Sequence, residues 1–446
     1  MESPFECTHR GKGRIVLLQK GDLLIMEADR NRWLMALSAI AIHLSIGSVY
    51  AYSVYQNPLN ESLGWNISDV TLAFTIAIFF LGMSAASLGF FVEKYGPRIS
   101  AAIAAVLFGA GTMGAGLAVQ LESLPLFIGS YGVLGGIGLG IGYISPVSTL
   151  VMWFPDRRGM ATGMAVMGFG AGALITSPVA EWLMNAVSIP GAFYILGASY
   201  FVLMLAGASY MKKPPKDWMP KGYKKEDLQT NQKGGDLAQL SAKEALRTMR
   251  FYLLWVVMFI NISSGIMLLA VASNMTQSIT GTSAAVAATI VGVMGFFNGG
   301  GRIVWASLSD YLGRTNTFTV FFLIQIVAFF LLPLTTNVVL LAILLFIIIT
   351  CYGGGFACLP AYIGDLFGTR QLGAIHGFLL TAWALAGVAG PTAVSSIVSA
   401  TGSYALSFYL FNILLVVALA AMIVMRFNIK KVRKNKEKES TEAAKA

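Results

Sequence analysis

Asn298-Gly-Gly-Gly-Arg302-Ile-Val-Trp-Ala-Ser-Leu-Ser-Asp310-Tyr-Leu-Gly-Arg314 places an arginine inside an apolar run, then ends that run with an acid, a glycine and a second arginine. Residues 283–308 read as a membrane-crossing helix, and Asp310 to Arg314 as the turn beyond it. The turn has a counterpart earlier in the chain. Gly89-Phe-Phe-Val-Glu-Lys-Tyr-Gly-Pro-Arg98 answers Ala306-Ser-Leu-Ser-Asp-Tyr-Leu-Gly-Arg-Thr315. Further on, Phe154-Pro-Asp-Arg-Arg-Gly-Met-Ala-Thr-Gly163 answers Phe367-Gly-Thr-Arg-Gln-Leu-Gly-Ala-Ile-His-Gly377, and Ser177-Pro178 answers Gly390-Pro391. Two such pairings at matched places indicate a duplicated unit.

The rest of the chain fits that unit. It has 446 residues, 56% of them apolar and 12% charged, far below the roughly 25% charge of soluble domains. Apolar runs such as Trp33 to Tyr55, Ala101 to Val119 and Tyr404 to Met425 each cross ~30 Å of hydrocarbon as a helix. They lack the alternating polarity of an outer-membrane barrel strand. The spans read as 32–56, 68–92, 98–120, 124–153, 158–185, 190–211, 249–274, 283–308, 315–335, 337–364, 371–399 and 402–426. This is an all-α membrane protein with twelve transmembrane helices in two six-helix pseudo-repeats.

Charge orients it. Lys94 and Arg98, Arg157 and Arg158, Arg314, and Arg370 fall in alternate loops, while the intervening loops contain no Lys or Arg. By the positive-inside rule the basic loops and both termini face the cytoplasm, which places the chain in the inner membrane. The expected parts are a cytoplasmic tail (1–31), a six-helix bundle (32–211), a cytoplasmic connector (212–248), a second bundle (249–426) and a basic tail (427–446). The first segment lacks a signal-peptide layout, because Ile15 to Leu18 is too short an apolar core. Met26 is an alternative start to Met1. The net charge of +10 belongs to this topology and to lipid contact, and no nucleic-acid partner is expected.

Arg302 stands 314 − 302 = 12 residues from Arg314, hence ~18 Å up a helix at 1.5 Å per residue, near the midplane. A midplane cation costs at least ~2.5–3.5 kcal/mol, so it calls for a polar cavity and a partner. Glu181 and Asp69 lie at outer helix ends and Asp365 at an inner one, so none answers it. Two readings stand: an anchor for a transported anion, or a structural arginine capped by carbonyl oxygens. Asn298, one turn earlier, and the glycines between them favour an open polar site, and a guanidinium matches a carboxylate bidentately. Tyr50, Tyr143, Tyr352, Phe356 and Trp383 fall at depths where they either surround that anion or simply pack. Two homologous halves with a midplane site make a carrier by rocking.

His376 and His43 are proton-coupling candidates, His376 two turns before Trp383 and close to the cytoplasmic end, His43 in an apolar stretch. An ordinary histidine is the competing reading for each. Glu93 with Arg98, and Asp310 with Arg314, together with Arg157 and Arg370, read as an inner gate latch or as solvated turns. No cofactor or metal is expected: Cys7, Cys351 and Cys358 have no ligand spacing, and no zinc, Walker or nucleophile-elbow pattern appears. An enzyme is therefore disfavoured. A single chain is expected to suffice.

The acid, glycine and arginine after helices 2 and 8 resemble the signature of the major facilitator superfamily. Tyr50-Ala-Tyr-Ser-Val-Tyr-Gln-Asn-Pro-Leu59, Asn298 to Arg302 with Ser309-Asp310, and His376-Gly-Phe-Leu-Leu-Thr-Ala-Trp-Ala-Leu-Ala-Gly387 resemble its oxalate/formate antiporter family. That resemblance implies an anion held by two cations, an arginine in helix 8 and a lysine in helix 11, inside an aromatic cage. The arginine corresponds to Arg302; the lysine's place is taken by Trp383, after Thr381-Ala382. One guanidinium and an apolar wall suit a monocarboxylate such as lactate, pyruvate or formate, moved with a proton. Oxalate:formate-type exchange and a non-transporting sensor with the carrier fold are the alternatives.

Overall fold

A computed structural model describes residues 30–215, 218–220 and 237–443. Most of the expected N-terminal tail, with Cys7 and Met26, and the connector residues 221–236 lie outside that range. The described residues form helices without strands. Ten of these helices are long and apolar enough to cross a membrane. One of the ten, within Ile67–Gln120, is two helices joined at Gly96, where φ is 80° and ψ 170°. Ala284–Leu312, the helix of Arg302, is also long enough at 29 residues. The total is twelve, as the sequence indicates.

Helix α1 is Arg32–Ile46, prolonged by the 3-10 turn Gly47–Ala51 and by Ser53–Leu63. Helices α2 and α3 are the two arms of Ile67–Gln120. Helix α4 comprises Leu124–Phe127, a π segment Ile128–Gly135 and Gly136–Trp153. Then come α5 (Arg158–Ala186), α6 (Ile189–Tyr210), α7 (Met249–Thr280) and α8 (Ala284–Leu312). The last are α9 (Arg314–Leu331), α10 (Val338–Phe367), α11 (Leu372–Thr401) and α12 (Ala405–Ala443). Helix α12 thus runs on through most of the expected basic tail.

The two ends of the bundle are built differently. At the end without basic loops, Ser123, Ser188, Ser283 and Asn337 cap the starts of α4, α6, α8 and α10 through side-chain oxygens. Such caps satisfy otherwise orphaned backbone N–H groups. At the basic end, α2 turns into α3 at Gly96, and α8 into α9 at Gly313 with φ 83°. A left-handed φ favours glycine at both matched positions, which is why each copy of the repeated turn keeps one.

The halves meet along α2 against α11 and α5 against α8. A Cβ on Gly377 would overlap the Ala85 carbonyl, one on Gly89 would come 2.7 Å from Ala374 Cα, and one on Gly159 would overlap the Ala306 carbonyl. Backbones this close need glycine, the usual means of packing helices in lipid. The same device seats α1 on α5, where a Cβ on Gly47 would overlap the Phe169 carbonyl. That contact brings Tyr50 to Phe169.

Candidate functional site

Gly301 and Gly353 draw α8 and α10 together and set the depth of Arg302: a Cβ on Gly301 would sit 2.6 Å from the Thr350 carbonyl. Arg302 is 1% exposed. Its Nε donates to Asn298 Oδ1 at 3.4 Å, and its Nη1 donates to the Val166 carbonyl of α5 at 2.8 Å. The guanidinium carbon lies 5.8 Å from the ring centres of both Phe169 and Phe356. No carboxylate among the described residues pairs with it. Nε and Nη1 are thus engaged within the protein, and Nη2 is left without a hydrogen bond.

Aromatic rings enclose this cation from both halves. Trp383 of α11 is 4.6 Å from Phe356, 5.6 Å from Tyr143, 5.8 Å from Phe169 and 6.4 Å from Tyr50, centre to centre. Tyr352 meets Phe356 edge-on at 5.4 Å. Every sequence-nominated member, Asn298, Tyr50, Tyr143, Tyr352, Phe356 and Trp383, is therefore gathered around Arg302.

The polar ends of these rings are unmatched. The hydroxyls of Tyr50, Tyr143 and Tyr352, Trp383 Nε1 and both ring nitrogens of His376 are buried without a hydrogen-bond partner. The Tyr50 and Tyr352 hydroxyls are close enough to interact without reaching hydrogen-bond geometry. A buried donor without a partner costs roughly 1–3 kcal/mol. Five such side chains surround one cation.

Both histidines border it. Tyr143 lies between them, stacked on His43 at 5.1 Å and tilted against His376 at 5.7 Å. His376, the fifth residue of α11, is wholly buried. His43 Nε2 lies 3.1 Å from the Tyr143 carbonyl.

The basic end carries two matching acid contacts. Asp310 of α8 accepts from the backbone N–H groups of Gly159 and Met160, both at 2.9 Å, at the start of α5 in the other half. Glu93 of α2 accepts from Gly373 N at 2.9 Å, at the start of α11. An acid at a helix N-terminus is favoured by the helix dipole as well as by the bond. Arg314 pairs with Asp310 at 2.5 Å and with Asp365 at 3.2 Å, and Arg158 reaches Asp365 at 3.2 Å.

Three expectations here need correction. Glu93 pairs with Lys213 at 3.1 Å instead of Arg98, whose guanidinium reaches the Ser209 carbonyl at the end of α6. Arg157 is exposed, and its buried neighbour Arg158 takes the place in the ion-pair network. Arg370 is exposed too. The reason is local: Arg157 precedes α5 and points outward, whereas Arg158 begins the helix against α10. Phe169, Val166 and Lys213 were not foreseen. Phe169 had one available signal, being the lone aromatic in Gly168-Phe-Gly-Ala-Gly172.

Nothing in this arrangement needs a metal, and no metal-sized cluster of His, Cys, Asp or Glu occurs among the described residues. Twelve membrane-length helices meeting around a buried cation in an aromatic box, with acids at one end, have the architecture of a membrane transporter. The sequence profile of the Major Facilitator Superfamily matches residues 36–391 and again 254–446, and the chain belongs to that superfamily.

The relatives are of the same kind. The chain is 31% identical over 366 residues to the oxalate:formate antiporter of Oxalobacter formigenes, covering 81% of this chain and 83% of that one. It is 26% identical over 317 residues to apicoplast pyruvate carrier 1 of Toxoplasma gondii, 58% of this chain and 57% of that one. Among solved structures, the proton:xylose symporter XylE bound to 6-bromo-6-deoxy-D-glucose superposes with a TM-score of 0.69 at 17% identity, over 88% of this chain and 95% of that one. The fold is that of a multi-pass membrane transporter, not an enzyme.

Proposed function

We propose that this protein is a secondary active carrier for small organic monoanions such as lactate, pyruvate or formate, moved with a proton by alternating access. It works as a single chain in the cytoplasmic membrane with both termini inside. Residues 32–211 and 249–426 are the moving bundles, joined by the connector 212–248. Arg302 is the carboxylate anchor, Asn298 orients it, and Tyr50, Tyr143, Tyr352, Phe356, Phe169 and Trp383 form the wall. Glu93, Asp310, Arg158, Arg314, Asp365 and Lys213 form the inner latch.

The observation that carries this reading is the charge count of the box. Arg302 is the single formal cation there among the described residues, and Trp383 puts an indole where a second cation would suit a dianion. One guanidinium balances the charge of one carboxylate and offers it the free Nη2 as a charge-assisted donor. The likeness to the oxalate:formate antiporter favours a second reading, one-for-one anion exchange without a proton.

Uptake of labelled lactate, pyruvate, formate and oxalate into proteoliposomes separates the two. The first reading predicts monocarboxylate uptake raised by an inward proton gradient and abolished in Arg302→Gln. Oxalate uptake that needs formate inside and ignores the gradient supports the second. Organic-anion transport undiminished in Arg302→Gln would overturn the site assignment.

A further inference from the structure

Four facts converge on His43. It is wholly buried in α1. Two backbone carbonyls, of Tyr143 and Ala165, face its ring. A carbonyl oxygen only accepts, so Nε2 carries hydrogen toward Tyr143, and the lone pair of the neutral ring is on Nδ1, which has no hydrogen-bond partner. Finally, His43 and Arg302 share a neighbour: the Phe169 ring is 6.3 Å from the imidazole and 5.8 Å from the guanidinium carbon.

The charged and titratable neighbours of His43 are few. Helix α4 brings Tyr143, α8 brings Arg302 and α11 brings His376. Helix α5 presents Phe169 and the Ala165 carbonyl, and α6 meets α1 through Gly207 at Ser38 and Ile42. Arg302 is therefore the only fixed charge near the ring among the described residues.

We propose that His43 is the proton seat of the carrier, and that occupancy of Arg302 by an anion controls it. This deepens the proposed function and rests on it. In the empty site burial away from water first, and the Arg302 cation second, oppose a positive charge on the His43 ring. A carboxylate on Arg302 cancels the arginine's charge, and a proton from the aqueous phase then binds Nδ1, giving an imidazolium. The balance is simple: the empty site carries +1 from Arg302, and the site loaded with one monoanion and one proton carries +1 again. Proton and anion sit on opposite halves, the proton on α1 and the anion on α8, so each bundle holds one ion. Binding linkage is reciprocal, so protonated His43 also tightens the anion.

The test counts protons taken up as lactate, pyruvate or formate binds to the purified full-length protein, by calorimetry in two buffers of different ionisation enthalpy near neutral pH. The wild type is expected to take up close to one proton per anion. His43→Gln, which keeps a donor for the Tyr143 carbonyl, is expected to bind the anion and take up none, with binding that no longer strengthens as pH falls. Proton uptake unchanged in His43→Gln would overturn the assignment while leaving the anion site intact. If His43→Gln does not fold, His376→Gln decides, with uptake retained as the expected result and uptake lost as the contrary one. Failure of all three anions to bind the wild type would instead overturn the proposed function itself.

Discussion

Arg302 Nη1 donates to the Val166 carbonyl oxygen at 2.8 Å, and this bond joins the two halves of the carrier at the centre of the site. Helix α8 thereby holds α5 from within, below the point where Asp310 holds the same helix from its end. The bond also fixes the guanidinium plane, leaving Nη2 for a ligand. A rocking motion that parts α5 from α8 must break it, so the anchor and the inter-half contact are one device.

That geometry distinguishes charge from shape at position 302. Arg302→Lys keeps a cation but offers a point charge where the guanidinium offers a planar fork. It is expected to weaken monocarboxylate binding by about tenfold or more while leaving charge selectivity intact. Competition of unlabelled anions against a labelled one, wild type beside Arg302→Lys, checks this. Equal affinities would show that the fork is not used.

Trp383 is expected to set the valence of the substrate. Trp383→Lys adds a second cation to the box and removes the indole packed on Phe356 at 4.6 Å. The expected result is oxalate binding that the wild type lacks, with weaker binding of lactate. The measurement is the ratio of oxalate to lactate affinity, which should rise; an unchanged ratio counts against a valence filter.

The basic end is expected to behave as a latch. Asp310→Ala removes an acceptor from two backbone N–H groups at the start of α5 and breaks the pair with Arg314. Losing hydrogen bonds to a charged group costs roughly 1.5–3 kcal/mol. The closed state at this end should therefore lose on the order of tenfold or more in population. Spin-label distances between the basic ends of α2 and α11 should lengthen, in Asp310→Ala and in Glu93→Ala alike, and distances unmoved in both would argue for a solvated turn.

Gly377 is expected to act oppositely to a simple stability site. A side chain there would overlap the Ala85 carbonyl, where α11 of one half packs on α2 of the other. Gly377→Val should block closure and transport while the protein remains folded and membrane-inserted. Normal transport rates in that variant would show that the halves do not pack this closely.

Much of this is legible in the sequence. Solid apolar runs and alternating basic loops mark the twelve helices because lipid forces each span to satisfy its own backbone, leaving length and apolarity as a readable record. Arg302 was legible for the same reason, as a charge in the wrong solvent. Boundaries set by packing were not: α1 runs on to Leu63 and α12 to Ala443. The choice between Arg157 and Arg158 turns on which residue begins α5, a one-residue matter that composition cannot express. Phe169 was hidden because its role depends on Gly47 letting α1 descend onto α5, a relation between residues 122 positions apart (169 − 47). Val166 contributes only its carbonyl, which no side-chain pattern reveals.

Whether Arg302 holds the carboxylate of the transported anion is tested by equilibrium binding to purified protein, without the complications of flux. Labelled lactate or pyruvate is titrated into the wild type and into Arg302→Gln, with folding of each confirmed by its melting transition. Saturable binding to the wild type is expected, with affinity lower by about a hundredfold in Arg302→Gln, as when an ion pair with a charge-assisted hydrogen bond is lost. Equal affinity in a folded Arg302→Gln would contradict it and leave Arg302 as a structural strut between α8 and α5.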